Sequence, residues 1–175
     1  LAALLVRDVY VGLRMGIGGD LKIARTIERL NRILNKSRLT TKFVSLFYAE
    51  LEPEGDVVYV NAGHPAPLCY RARDRSFAEL ASTGLVLGPV PDARYSRRAE
   101  KMEPGDVLVL YTDGISEARD PKGREFSPVR IRRHVVENRK KSAREIALRL
   151  LDTIRIWTDG HPQEGQLVID QDLVN

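Results

Sequence analysis

Apolar residues recur along this chain in two rhythms, one of three to four residues and one closer to two, and each predicts a kind of element. In "LAALLVRDVYVGLRM", Ala2, Leu5, Val6, Val9 and Leu13 fall in helical period from the start. After the break "GIGGD", Asp20 is the expected N-cap of a second helix with the stripe Ile23, Ile27, Leu30, Leu34. Asn35 and the polar "NKSRLTTK" end it.

The next segments are rich in β-branched and aromatic residues: "FVSLFYAEL" (43–51), "DVVYVNAG" (56–63) and "PLCYRA" (67–72). The connections "EPEG", "HPA" and "RDRS" have hairpin length, so successive antiparallel strands are expected. The first is apolar on both faces, which predicts a central strand covered on both sides. "FAEL" predicts a fourth short strand, "STGLVLGPVPD" a loop, and "YSRRAEKM" a weakly alternating segment. "EPGD" then turns the chain into "VLVLYTDG", with the sheet expected to run through Tyr111.

A helix is expected over "SPVRIRRHVVENRK", where Pro128 sits early enough for its missing N–H to be harmless. The last helix is signalled best. Ser142 and Glu145 in "SARE" form a capping box, and Ile146, Leu150, Ile154 and Trp157 line one face. A closing strand, "QLVIDQDLV", follows. Helices, a run of strands, then helices and a strand predict an α+β fold with helices layered on antiparallel sheet.

Composition narrows the class. At 175 residues, 43% hydrophobic and 30% charged, one soluble domain spanning 1–175 is expected, with no apolar run long enough to cross a bilayer. One cysteine, Cys69, cannot form an internal disulfide, and the three histidines are scattered, so a reducing, cytoplasmic setting is expected. The net charge of +4 favours acidic or phosphorylated partners. The basic runs "RIRRH" and "NRKKSAR" lack interleaved exposed aromatics, which argues for a solvated helix face over a nucleic-acid module.

The candidate chemistry lies in "VLVLYTDGISEARD". A strand with the interior Val107 to Leu110 would deliver Asp113 rigidly at its C-terminal edge, with Gly114 letting the backbone turn or approach an ion. Hard cations such as Mg²⁺ or Mn²⁺ prefer such carboxylate oxygens. On "TDG" alone, an Asx cap of the turn is the commoner use of this residue. Glu117 either receives backbone N–H bonds after Asp113 or supports the site from behind. Cys69, in mid-strand, reads as a core residue.

"FVSLFYAEL", "VVYVNAGHPAPL", "LGPV" and "MEPGDVLVLYTDGISEARDPKGREF", in this order, resemble the SpoIIE/RsbU-type bacterial phosphatases of the metal-dependent Ser/Thr protein phosphatase superfamily (type 2C-like). The resemblance runs from about Leu1 to Val168. It implies an αββα sandwich of two antiparallel sheets flanked by helices and a binuclear Mn²⁺ or Mg²⁺ site in which Asp113 is a ligand. It also implies hydrolysis of phosphoserine or phosphothreonine by metal-activated water, on a regulatory protein of the anti-anti-sigma (STAS) kind. An upstream sensor domain and a homodimer are compatible with it.

The chain departs from the family pattern twice. The first acidic motifs, an Asp-bearing strand and a "GDVxGHG"-like segment, are absent, so the domain is expected to be N-terminally incomplete. The paired aspartates of "DDxTLVV" are replaced in "HPQEGQLVID", where Glu164 and Gly165 stand. Glu164 is the candidate second ligand; Asp170 and Asp172 read as solvated edge acids. Asp113 alone cannot hold two cations, so these 175 residues by themselves are expected to be inactive or nearly so. The rival reading is a non-catalytic phosphatase-like module. His64 in "NAGHP" is a candidate near the substrate as a general acid, though a loop histidine fixing its own turn is the plainer role, and Asn61 suits a left-handed turn.

Overall fold

The computed structural model describes residues 23–36 and 43–159. The expected first helix, Asp20, Glu164, Asp170, Asp172 and the closing strand lie outside them. The chain divides into two compact units, one built from residues up to His64 together with Ala81–Lys101, the other from Pro65–Leu80 and from Met102 onward.

Unit 1 packs helix α1 (Ile23–Lys36) with strands β1 (Leu46–Leu51), β2 (Asp56–Ala62) and β5 (Arg98–Lys101). Ile23, Ile27, Leu30 and Leu34, the stripe expected of α1, are all buried, in one cluster with Val60, Ala62, Leu87 and Tyr95. The sheet order is β1-β2-β5, antiparallel throughout. The "EPEG" turn closes β1 onto β2 as expected, with Gly55 at φ 87°.

Among the described residues β1 is an edge strand, not the central one. Its side chains are only half-buried, and Leu51 is exposed. The apolar residues on both its faces predict two neighbouring strands, and among the described residues it has one, β2. The central place belongs to β2, whose alternation is just as weak and whose last four residues are all buried.

Unit 2 holds strands β3 (Leu68–Tyr70), β4 (Phe77–Glu79) and β6 (Val107–Val109) and helices α2 (Asp113–Ser116), α3 (Ser127–Asn138) and α4 (Ala143–Trp157). The sheet order is β4-β3-β6, with every pair antiparallel. β2 and β3 therefore belong to different sheets. "HPA" carries the chain from one sheet to the other and is not the hairpin connection expected from its length.

α3 begins with Pro128 in its first turn, and α4 carries the full capping box between Ser142 and Glu145. Leu150 and Ile154 bury the face of α4 in one cluster with Leu68, Ile115, Phe126 and Ile131, with Trp157 packed against it, and Ile146 is buried on the same helix. Two sheets with helices against them constitute the α+β fold expected from the sequence.

Candidate active site

Asp113 does not stand at the tip of a strand. β6 ends at Val109, its three residues are half-buried, and Leu110 is 55% exposed. The four-residue apolar run was too short a warrant for a buried strand, because a run of this length also occurs where a strand passes into a turn. Tyr111 is buried again, and Asp113 opens the short helix α2 with Thr112 as its N-cap.

Anchorage of this turn comes from two buried residues, Ile115 within it and Ala118 just beyond. Backbone bonds run Ile115 N–H to Thr112 O at 3.0 Å and Glu117 N–H to Asp113 O at 2.8 Å. Asp113 itself is exposed. Its Oδ1 accepts the Gly114 N–H at 2.8 Å, so one oxygen is used locally, as an Asx residue in a turn would use it. Its Oδ2 has no protein donor among the described residues. That leaves an outward carboxylate oxygen suited to a hard cation.

Gly114 is not there for an unusual backbone. It is helical, and a Cβ added to it would meet only Thr112 Oγ1 at 3.6 Å, an ordinary contact. Glu117 is exposed and closes the turn through its main chain, its N–H bonded to Asp113 O. Asp113, Gly114 and Glu117 thus share one helical turn, while His64 belongs to the other unit.

The backbone N–H of His64 donates to Asn61 Oδ1 at 2.8 Å, and its Nδ1 lies 3.3 Å from Ser45 Oγ. The left-handed residue of "NAGH" is Gly63, at φ 67°, rather than Asn61, which ends in strand β2 with its side chain bracing the turn. Cys69 is fully buried, and burial pushes its thiol up, consistent with a core residue and not a nucleophile.

Sequence reasoning missed two carboxylates with buried side chains in the unit that carries Asp113. Asp106 precedes β6 and has its side chain 2% exposed. It accepts from the Ala72 and Glu103 N–H groups at 2.8 and 3.0 Å and pairs with Arg71 at 3.1 Å. Burial alone would raise its pKa, but these donors outweigh it and hold the carboxyl below its ordinary 3.8.

Asp120 closes the "DPKGRE" loop after α2, accepting from Lys122 N–H, Arg124 N–H and the Arg124 guanidinium. Burial raises its carboxyl, but the Arg124 contacts and the Lys122 N–H outweigh that and hold it below its ordinary range. The signal that could have found both is an Asp one or two residues from a Pro or Gly turn with an arginine available to it.

Among the described residues no three His, Cys, Asp or Glu side chains converge on a point that could hold a metal. No described helix is long and apolar enough to cross a membrane. The described part of the site therefore supplies one fitting carboxylate, not a full ligand set.

Comparison with known proteins supplies the context for that turn. The family described as Stage II sporulation protein E (SpoIIE) matches residues 2–166. The chain is 29% identical over 132 residues to the phosphoserine phosphatase RsbU of Bacillus subtilis, covering 75% of this chain and 39% of RsbU. It is 31% identical over 97 residues to the protein IcfG of Synechocystis, covering 55% of this chain and 15% of IcfG. The chain thus spans well under half the length of these relatives.

Among solved structures, the RsbU and RsbW domains of Rv1364c from Mycobacterium tuberculosis superpose with a TM-score of 0.69 at 25% identity, over 89% of this chain and 44% of that one. The SiaA-PP2C domain of Pseudomonas aeruginosa reaches 0.77 at 15% identity, over 93% of this chain and 65% of that one, a likeness of fold. The chain belongs to the SpoIIE family and has the fold of its PP2C-type phosphatase domains.

Proposed function

We propose that this chain is a single domain, 1–175, of a metal-dependent protein phosphatase, and that Asp113 contributes one ligand to its metal site. The observation that carries the reading is the exposed Asp113 carboxylate, fixed by a turn whose inner side is buried, in a chain of the SpoIIE family. When bound, Mn²⁺ or Mg²⁺ supplies an activated water and neutralises charge on a phosphoryl group. Asp113 would hold the cation through its outward oxygen, and the backbone turn 112–117 would keep that oxygen in place. Gly114 and Glu117 support the turn, Glu164 is the second candidate ligand, and His64 is a candidate for contact with the substrate.

The substrate class is phosphoserine or phosphothreonine on a regulatory STAS-type protein, in a cytoplasmic setting, with a sensor domain upstream and a homodimer as further parts of the proposal. The similarity to a phosphoserine phosphatase supports the phosphoester part of this reading.

"HPQEGQLVID" favours a second reading, because a lone Glu164 stands where the family pattern carries paired acids. That reading is a phosphatase-like module that binds a partner without hydrolysis. The discriminating experiment measures hydrolysis of a phosphoserine protein by the full-length protein with and without Mn²⁺, beside Asp113→Ala. An active-site ligand should cost more than the roughly 10–100-fold lost with a supporting partner. Equal rates in every arm would leave only the binding module.

A further inference from the structure

We propose that Trp157 is a positioning residue for the Asp113 turn, its indole N–H holding the carbonyl of Ala118 on which the turn ends. The proposal rests on the reading of Asp113 as a metal ligand.

Thr112, Asp113 and Glu117 are exposed, so burial does little to hold them; the inner anchors are Ile115 and Ala118. Ala118 is fully buried, and its carbonyl oxygen takes two donors, the Trp157 Nε1–H at 3.0 Å and the Phe126 N–H at 2.8 Å. Both lone pairs of that oxygen are thus occupied. The indole bond joins residues 39 positions apart, from the last turn of α4 to the end of the α2 turn.

The ring donating this bond is itself held on several sides. Phe126 meets it edge-on at 5.9 Å. The Arg130 guanidinium lies 4.1 Å from its centroid and also donates to Phe126 O at 3.2 Å. Arg124, already paired with Asp120, lies 5.5 Å from the ring.

A tryptophan needed only to fill the space between α3 and α4 could be any large aromatic residue, since packing is met by the ring alone. The N–H adds direction: it fixes one peptide oxygen, and the bonds Ala118 N–H to Ile115 O and Glu117 N–H to Asp113 O carry that constraint to the exposed carboxylate. Small displacements of a ligand matter because metal geometry tolerates little error.

The test uses the full-length protein with Trp157→Phe, which keeps a ring in place and removes the donor, and with Trp157→Leu, which removes both. Hydrogen exchange of the amides of residues 113–118 reads the anchor without metal or substrate. Calorimetric titration with Mn²⁺ and the Mn²⁺ dependence of hydrolysis read its effect on the site. In Trp157→Phe, exchange at 113–118 should quicken while β3 and β6 stay protected. The Mn²⁺ midpoint should rise about tenfold, in the range typical of residues that orient ligands, with the substrate KM unchanged.

Wild-type exchange in Trp157→Phe, or faster exchange with an unchanged Mn²⁺ midpoint, overturns the proposal. So does a result in which only Trp157→Leu is impaired, which marks the ring as packing alone. A wild-type protein that neither binds Mn²⁺ nor hydrolyses with it removes the reading of Asp113 itself, and the positioning role falls with it.

Discussion

Unit 1 and unit 2 each set a three-stranded antiparallel sheet against helix, yet they fasten their loops with different chemistry. In unit 1 the fastener is a neutral amide. Asn31, fully buried on α1, donates to Val90 O and Pro91 O at 2.8 and 3.1 Å and accepts from Gly88 N–H at 2.8 Å. Asn35 adds a bond to Gly88 O. In unit 2 the same task falls to carboxylates: Asp106 across the β3 and β6 ends, Asp120 in the loop after α2, and Glu145 at the start of α4. An amide cannot be switched off by acid, whereas a carboxylate can. The described carboxyls held below their ordinary range, Asp74, Asp106, Asp120 and Glu145, all lie in the unit that carries Asp113, while the unit 1 loop that Asn31 holds has the Glu28–Arg94 ion pair beside it.

The largest effect expected from this comparison concerns backbone. Gly63 in unit 1 has φ 67°, and a Cβ there would come within 2.4 Å of Val86 Cγ1. Gly63→Ala should cost about 2–5 kcal/mol in denaturant unfolding, from the left-handed backbone and the clash together. Gly114→Ala in unit 2 should be neutral or stabilising by up to about 1 kcal/mol, since alanine is the better helix former. Equal costs at the two glycines would refute the contrast.

The next effect concerns pH. Asp106 lies below its ordinary 3.8 in the folded chain, so the unfolded chain binds its proton more readily. Its contribution is complete above about pH 5 and fades as the pH falls below 3.8 through the lower folded value. Asp106→Asn should cost about 1.5–3 kcal/mol at pH 7, the worth of charged hydrogen bonds, and progressively less in acid. Asn31→Ala should cost about 1–3 kcal/mol, for the peptide groups left without partners, with no such decline. Parallel pH profiles for the two variants would show that the carboxylate is not the pH-sensitive tie.

The smallest effect is at the capping box. The Ser142 hydroxyl and backbone lower the Glu145 carboxyl, and Ser142 Oγ accepts the Glu145 N–H. Ser142→Ala should cost about 1 kcal/mol in thermal unfolding. A loss below the precision of that measurement would mean the helix is held by its buried face alone.

Local signals were read from the sequence more faithfully than distant ones. The α1 stripe and the Ser142 capping box were legible because helical period and caps depend on residues within a turn or two of each other. Strand partnership was not. β2 and β3 are joined by a connection of hairpin length, yet they pair with β5 and β6, and nothing local records those partners.

The site followed the same rule. "YTDG" marked Asp113, but its setting on a helical turn depends on Ile115 and Ala118 reaching the α4 face. Trp157 was legible as an apolar position, whereas its N–H bond to Ala118, 39 residues away, was not.

β1 and β2 meet across a turn that separates Leu51 from Val57 by six residues, so that ladder can close almost as soon as it leaves the ribosome. β3 must wait for β6, with Tyr70 and Val107 paired across 37 residues that include β5. By chain entropy alone the longer closure costs about 1.6 kcal/mol more. A nascent chain therefore holds β3 and β4 without their third strand until synthesis passes Val109, and the turn bearing Asp113 emerges only a few residues after the strand that completes its sheet.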